Sequence, residues 1–141
     1  VVLQGLWKFG NDWVFDSRLS YTYQKAQDFT DKSDKDTYGG QISYIPWHSG
    51  SAILNAGYKS WELNYSFIYT GERYDVSANT PENYRLPWYT SDFSLAKKFS
   101  WRKYDFKLTL EVNNIFNQQY EVVRSYPMPG TNFKFILNLT I

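Results

Sequence analysis

The chain has 141 residues, a formal net charge of +1 and no cysteine. A length of this order suits one domain, and the balanced charge gives no reason to expect a nucleic-acid partner. The lack of cysteine excludes disulfides, thiolate metal sites and a thiol nucleophile. Aromatic residues form 21% of the chain, yet no run of about 18 apolar residues is present to span a bilayer as a helix. Any membrane span must therefore be a strand.

Alternation of polar and apolar residues predicts an all-β chain, because successive side chains of a strand point to opposite faces. No window keeps the helical spacing of apolar residues, so no helix is predicted. Leu6 and Ile53 fall on faces that are otherwise polar, and Pro46 shortens the third strand. In chain order, seven strands are expected at residues 1–9, 13–26, 42–58, 61–71, 89–99, 104–120 and 132–141.

The connections between these strands alternate between short and long. Residues 10–12, 59–60 and 100–103 are predicted to be tight turns, whereas residues 27–41, 72–88 and 121–131 are long and rich in Asp, Asn, Pro and Gly. Short turns at one rim and long loops at the other are typical of an outer-membrane β-barrel. Aromatic residues flank the short turns, as in an interfacial girdle: Trp7, Phe9, Trp13, Tyr58, Trp61, Phe99, Trp101 and Tyr104.

Two lysines depart from the pattern, since Lys25 and Lys97 fall on the apolar face. Each lies near the end of a predicted strand, where a long side chain reaches water while its stem stays in an apolar environment. Neither residue argues against a membrane barrel.

Two other architectures fit part of the pattern. A soluble, carbohydrate-binding β-sandwich shows the same alternation, because one face packs on a second sheet. The unequal loops and the aromatic turns favour the barrel. A self-contained structural or adhesive barrel requires about eight strands, and no eighth strand is predicted. Since unpaired edges are not tolerated within a bilayer, the missing strands are expected to lie outside these residues.

Several motifs resemble those of TonB-dependent outer-membrane receptors. Residues 113–120 (Asn-Asn-Ile-Phe-Asn-Gln-Gln-Tyr) are similar to the Asn-Leu-Phe-Asn/Asp…Tyr signature near the end of these proteins. Residues 129–133 (Pro-Gly-Thr-Asn-Phe) resemble the segment before their final strand, although Thr131 stands where Arg is usual. Residues 44–48 and 69–74 are similar to loop-edge motifs of the family. The chain ends in Ile141, where a terminal aromatic is common.

The resemblance implies that residues 1–141 are the C-terminal part of a transmembrane barrel of about 22 antiparallel strands. It also implies a plug domain, absent from these residues, and energy supplied through TonB. The function so implied is active uptake of a large, scarce nutrient, such as an iron-siderophore, a corrinoid like vitamin B12 or a glycan, across the outer membrane of a Gram-negative bacterium. Implied partners are the rest of the barrel, the plug, TonB, lipid, lipopolysaccharide and a surface lipoprotein.

No constellation of residues predicts catalysis, a metal or another cofactor. His48 is the single histidine and sits beside Trp47 at a strand edge or in a loop, so neither a Ser-His-Asp triad nor a multi-histidine metal site is predicted, and a hydrogen-bonded loop residue is expected. Four aspartates between residues 28 and 36 are spaced loosely like a calcium loop. Lys32 and Lys35 interleave with them, and the Gly and terminal Glu of an EF-hand are missing, so a solvated loop is expected.

Charged residues on the polar face are expected to be wall residues that pair with the plug or with one another, in preference to substrate contact: Asp16, Arg18, Glu62, Lys107 and Glu111. Substrate contact is expected instead in the long loops, where aromatic rings give flat apolar contact and arginines bind carboxylate or phosphate as a fork. The candidates are Arg73, Tyr74, Tyr84, Arg85, Trp88, Tyr89, Arg124 and Tyr126.

Overall fold

The computed structural model describes residues 1–140, which form strands, loops and one short 3-10 turn at Pro81–Asn83. Seven long strands make one sheet, and four short strands make two hairpins within the long connections. In chain order the strands are β1 (Val2–Phe9), β2 (Trp13–Tyr23), β3 (His48–Tyr58), β4 (Trp61–Thr70), β5 (Arg73–Tyr74), β6 (Tyr84–Arg85), β7 (Trp88–Trp101), β8 (Tyr104–Asn113), β9 (Glu121–Val123), β10 (Tyr126–Pro127) and β11 (Asn132–Thr140).

The long strands form an antiparallel meander in the order β1-β2-β3-β4-β7-β8-β11, so each pairs with the next long strand of the chain. The all-β fold class and the seven predicted strands are confirmed. Four of the predicted strands agree with the structure within two residues at each end, and Ile141, the last residue of the seventh, lies outside the described residues.

The ends of three predicted strands were wrong. The second ends at Tyr23 rather than at residue 26, because the amide of Ala26 donates to the carbonyl of Gln24 (3.1 Å) and turns the backbone out of the ladder. The third begins at His48 rather than at residue 42, because Tyr44 has a left-handed φ of 60° and the amide of Ile45 donates to the carbonyl of Ile42 (3.2 Å) in a turn. Pro46 also has no N–H to donate to a ladder.

The sixth predicted strand ends at Asn113 rather than at residue 120. Asn114 has a φ of 50°, in the left-handed region, which interrupts the strand. Its side chain then closes a turn, accepting from the amide of Gln118 (2.9 Å) and donating to the carbonyls of Gln118 (2.9 Å) and Pro129 (3.2 Å). Thr131 adds a hydroxyl bond to the carbonyl of Asn114 (2.8 Å). This buried asparagine therefore fixes the path of residues 114–131.

One face of the sheet is apolar along its whole width, because the strand register places like residues side by side. Between β8 and β11, Leu108 lies opposite Leu137 and Leu110 opposite Phe135. In residues 1–140 the only buried apolar side chain is Ala96, and no second large sheet covers this face. A soluble sandwich requires such a cover, so the described residues do not form one.

The sheet is open, because β1 and β11 form its two edges and are not paired with each other. The described residues therefore do not form the self-contained small barrel that was considered from the sequence. Within residues 1–140, no helix is long and apolar enough to cross a bilayer.

The opposite face of the sheet is polar and carries ion pairs, two near the short turns and one near the third long connection. Glu62 of β4 pairs with Lys98 of β7 and with Lys107 of β8, the latter at 2.6 Å. Glu111 and Lys134 pair at 3.7 Å. These side chains are partly exposed, so each pair contributes about 0–1 kcal/mol to stability.

Cationic side chains lie over aromatic rings at the rim that carries the short turns. The Lys97 ammonium lies 4.2 Å from the ring centre of Trp61, its partner in the register, although Lys97 is on the apolar face. Lys59 lies over Tyr58 (5.2 Å) and Lys103 over Tyr104 (5.2 Å). The aromatic girdle predicted at this rim thus also holds positive charge, a combination that suits a membrane interface.

Candidate functional site in the long loops

Three long connections meet at the rim opposite the short turns: the first loop (24–47), the second loop (71–87) and the third loop (114–131). We call them together the loop cluster. The first and second loops are joined by backbone and amide groups. The amide of Tyr44 donates to the carbonyl of Tyr74 (2.8 Å), and Asn79 Nδ2 donates to the carbonyl of Gln41 (3.0 Å). The loops therefore form one connected structure.

Arg73 joins the second loop to the third. Its side chain is buried, and Nη2 donates to the carbonyls of Glu121 (2.9 Å) and Val122 (3.2 Å). Burial lowers the pKa of the Arg73 guanidinium from its usual value, because a charge is costly away from water. This candidate residue thus binds protein carbonyls and braces the loops.

Asp75 forms ion pairs with the other two candidate arginines. Its side chain is only 1% exposed and accepts from Arg85 Nε at 2.7 Å, with Arg85 Nη2 also bound to the same oxygen. Arg124 of the third loop lies 3.5 Å from that oxygen. We call these three residues the Asp75 clamp. Both arginines are already paired with a carboxylate, although the Arg124 side chain remains half exposed.

The candidate tyrosines occupy different places. The Tyr84 hydroxyl donates to Glu72 Oε2 (2.8 Å), and this hydrogen bond raises the pKa of Tyr84 above its usual value. Tyr74 packs edge-on against Tyr84 with ring centres 5.7 Å apart. Tyr126, on β10, is highly exposed. Tyr89 lies on the apolar face of the sheet beside Phe67, and its ring meets that of Phe116 of the third loop edge-on, with ring centres 6.3 Å apart.

Trp88 begins β7 on the polar face, since it shares strand parity with Thr90 and Asp92. Its ring lies 4.5 Å from that of Tyr120, tilted by 31°. Burial, and to a smaller extent the nearby Asp92 carboxylate, raises the pKa of Tyr120. Trp88 and Tyr120 thus form an aromatic wall above the polar face of the sheet.

A cavity of about 490 Å³ lies between the second and third loops beside this aromatic wall. Three of the eight candidates line it, Tyr84, Arg85 and Trp88. Sequence reasoning missed the lining residues of the third loop. Three of them, Gln118, Gln119 and Tyr120, belong to the 113–120 motif, which is the sequence signal that points to this part of the loop. The missed lining residues include Gln118, Gln119, Tyr120 and Glu121.

The acidic part of the first loop caps its own backbone turns. Asp28 accepts from the amide of Thr30 (2.8 Å), and Asp31 accepts from the amide (2.8 Å) and hydroxyl (2.7 Å) of Ser33. These hydrogen bonds lower the pKa of both aspartates. Over the described part of the chain, no group of three or more His, Cys, Asp or Glu is arranged to hold a metal ion. His48 Nδ1 and the Tyr21 hydroxyl form a hydrogen bond (2.7 Å), whose direction depends on the tautomer of the imidazole.

Comparison with protein families gives a match. The sequence model of the family described as TonB dependent receptor-like, beta-barrel matches residues 2–115. This range covers β1 to β8 with the first and second loops, and it ends just as the third loop begins. No curated protein matches the chain at a significant level.

Proposed function

The chain belongs to the family of TonB-dependent receptor β-barrels, and we propose that it forms part of the wall and outer loops of an active transporter in the outer membrane of a Gram-negative bacterium. Members of this family are transporters and not enzymes, and they generally contain a plug domain and work with TonB. The observation that carries the proposal is the uncovered apolar face, which crosses all seven strands between short turns at one rim and long loops at the other.

The two free edges support a place within a larger barrel. A bilayer offers no water to satisfy the exposed N–H and C=O groups of β1 and β11, so each edge needs another strand. We propose that residues 1–141 are the C-terminal part of a barrel of about 22 strands. The polar face then lines the interior, where its charged residues meet the plug or one another.

The loop cluster is proposed to contact the nutrient at the cell surface. Within it, Arg73 holds the loops together, while the side chains with free surface are better suited to substrate contact. Tyr126 is exposed, Arg124 is half exposed, and Tyr84 and Trp88 line the cavity. The proposed nutrient is an iron-siderophore, a corrinoid or a glycan. Lipopolysaccharide and a surface lipoprotein are proposed neighbours of the same rim.

Cysteine labelling of the complete receptor tests this orientation, since the chain contributes no cysteine of its own. Tyr126→Cys places a thiol in the third loop, and Lys103→Cys places one in the last short turn. A membrane-impermeant maleimide is expected to label Tyr126→Cys on intact cells and Lys103→Cys only after the outer membrane is permeabilised. The reverse pattern, or equal labelling of both on intact cells, contradicts the proposed topology.

Uptake measurements test the transport itself. Cells with and without the receptor gene are given a labelled ferric siderophore, labelled vitamin B12 or a labelled oligosaccharide. Receptor-dependent accumulation of one class that stops when TonB is deleted is the expected result. Accumulation of none of the three classes, or uptake that persists without TonB, argues against an active transporter.

A further inference from the structure

We propose that the cavity between the second and third loops is a subsite for a neutral carbohydrate ring. This inference rests on the proposed transport function and narrows its substrate class. Three features carry it: an aromatic wall, two free side-chain amides, and charged groups that already have hydrogen-bond partners.

The aromatic wall lies on the interior side of the sheet. Trp88 shares the polar face with Thr90 and Asp92, so a ring held against it is at the mouth of the proposed barrel rather than in lipid. Trp88 contacts Tyr120, and both line the cavity. An aromatic face binds the apolar C–H face of a sugar ring through flat contact. The hydroxyl groups at the edge of the sugar then stay free to form hydrogen bonds.

The two amides belong to Gln118 and Gln119. The backbone of Gln118 is fixed in both directions by the buried Asn114 side chain, at 2.9 Å for each bond. Neither glutamine side chain has a hydrogen-bond partner among residues 1–140, although both line the cavity. Each amide offers donors and an acceptor, and sugar hydroxyls also donate and accept. The site therefore presents unused hydrogen-bonding groups on a fixed backbone.

The two charged side chains that line the cavity already have hydrogen-bond partners. Arg85 is bound by Asp75, and Glu121 accepts from the amide of Ser125 (2.9 Å). An anionic ligand must compete with the buried Asp75 carboxylate for Arg85, and breaking such a pair is costly. A neutral ligand leaves both contacts intact. The cavity volume lies within the range of about 300–1,000 Å³ that is common for small-ligand sites.

The test uses the complete receptor purified in detergent and an array of neutral oligosaccharides, with ferrichrome and vitamin B12 as the competing ligand classes. We expect at least one neutral oligosaccharide to bind. The double variant Gln118→Ala/Gln119→Ala is expected to weaken that binding by about tenfold, since two hydrogen-bonding groups are lost. Gln24→Ala is the matched control, because Gln24 is an exposed glutamine of the first loop outside the cavity.

Trp88 variants separate binding from folding. Trp88→Leu is expected to weaken oligosaccharide binding by about tenfold through loss of ring contact, while Trp88→Phe keeps most of it. Failure of every oligosaccharide to bind, or equal affinities in wild type and all variants, overturns the carbohydrate subsite. TonB-dependent uptake of ferrichrome or vitamin B12 in that case leaves the proposed function standing, whereas absence of any TonB-dependent uptake removes the proposed function itself.

Discussion

Leu137 tests whether the apolar face of the sheet meets lipid. It lies five residues after Asn132, the first residue of β11, and opposite Leu108 of β8. At about 3.4 Å per residue and a strand tilt of about 40°, five residues descend about 13 Å, or half of an apolar band about 25 Å tall. Leu137 is therefore placed near the middle of the bilayer.

An arginine at that depth faces hydrocarbon, so we expect Leu137→Arg to lower the free energy of unfolding of the complete receptor by about 2–4 kcal/mol. This corresponds to a roughly 30- to 900-fold change in the folding equilibrium. Urea unfolding in phospholipid vesicles, followed by tryptophan fluorescence, measures the change. In an aqueous setting the same variant is expected to cost little, because the Leu137 side chain is 56% exposed in the chain itself.

Asn138→Arg is the matched control, since it places the same charge one residue further along β11 on the polar face. We expect its free energy of unfolding to change by no more than about 0.5 kcal/mol. Equal costs at Leu137 and Asn138, or a larger cost at Asn138, would refute the assignment of the apolar face to lipid.

Three further predictions concern the loops and the polar face. Asp75→Asn removes the carboxylate of the Asp75 clamp, so we expect the second loop to lose about 3 kcal/mol of local stability, measured as faster amide exchange in residues 71–87. Asp31→Asn, in an exposed turn, is the control. Unchanged amide exchange in Asp75→Asn contradicts the clamp. The hydrogen bond to Glu72 raises the pKa of Tyr84 in the folded state. The contribution of this bond to the free energy of unfolding is therefore complete below the usual pKa of 10.0 and is lost as pH rises through the folded-state pKa. The ultraviolet difference titration between wild type and Tyr84→Phe should therefore have a midpoint above 10.0, and a midpoint at or below that value is inconsistent with the bond. Glu62→Gln should change the free energy of unfolding by less than about 1 kcal/mol, because the Glu62 side chain is 40% exposed in this sheet; a much larger loss in the complete receptor indicates that the plug desolvates this site.

The long strands could be predicted from the sequence because their signal is local and repeated. Every second residue of β8 and β11 is apolar, and pairing keeps each such residue beside another. Strand ends were harder, since they depend on single residues. Asn114 follows Asn113 and falls where the alternation calls for an apolar residue, but the sequence does not show the left-handed backbone and the buried side chain that end the strand there.

The loop hairpins could not be predicted, because each contains strands of only two or three residues, too short for any periodic pattern. They are held by contacts between residues far apart in the sequence. Arg73 binds the carbonyl of Glu121, 48 residues away. For the same reason, residue type alone did not show which arginines brace the loops and which keep exposed surface.

The wall and the loop cluster are stabilised in opposite ways, and this bears on where a nutrient binds. Apolar side chains of the wall face outward, so the sheet itself buries almost no apolar core. The buried side chains of the loop cluster, in contrast, are polar, as at Gln41, Arg73 and Asp75. Buried polar groups stabilise a structure only while they are paired. A ligand that displaced the partners of these buried polar groups would loosen the loops. Specific binding that keeps the loop cluster folded must therefore use side chains that do not hold the loops together. The aromatic wall of Trp88 and Tyr120 and the amides of Gln118 and Gln119 meet that condition.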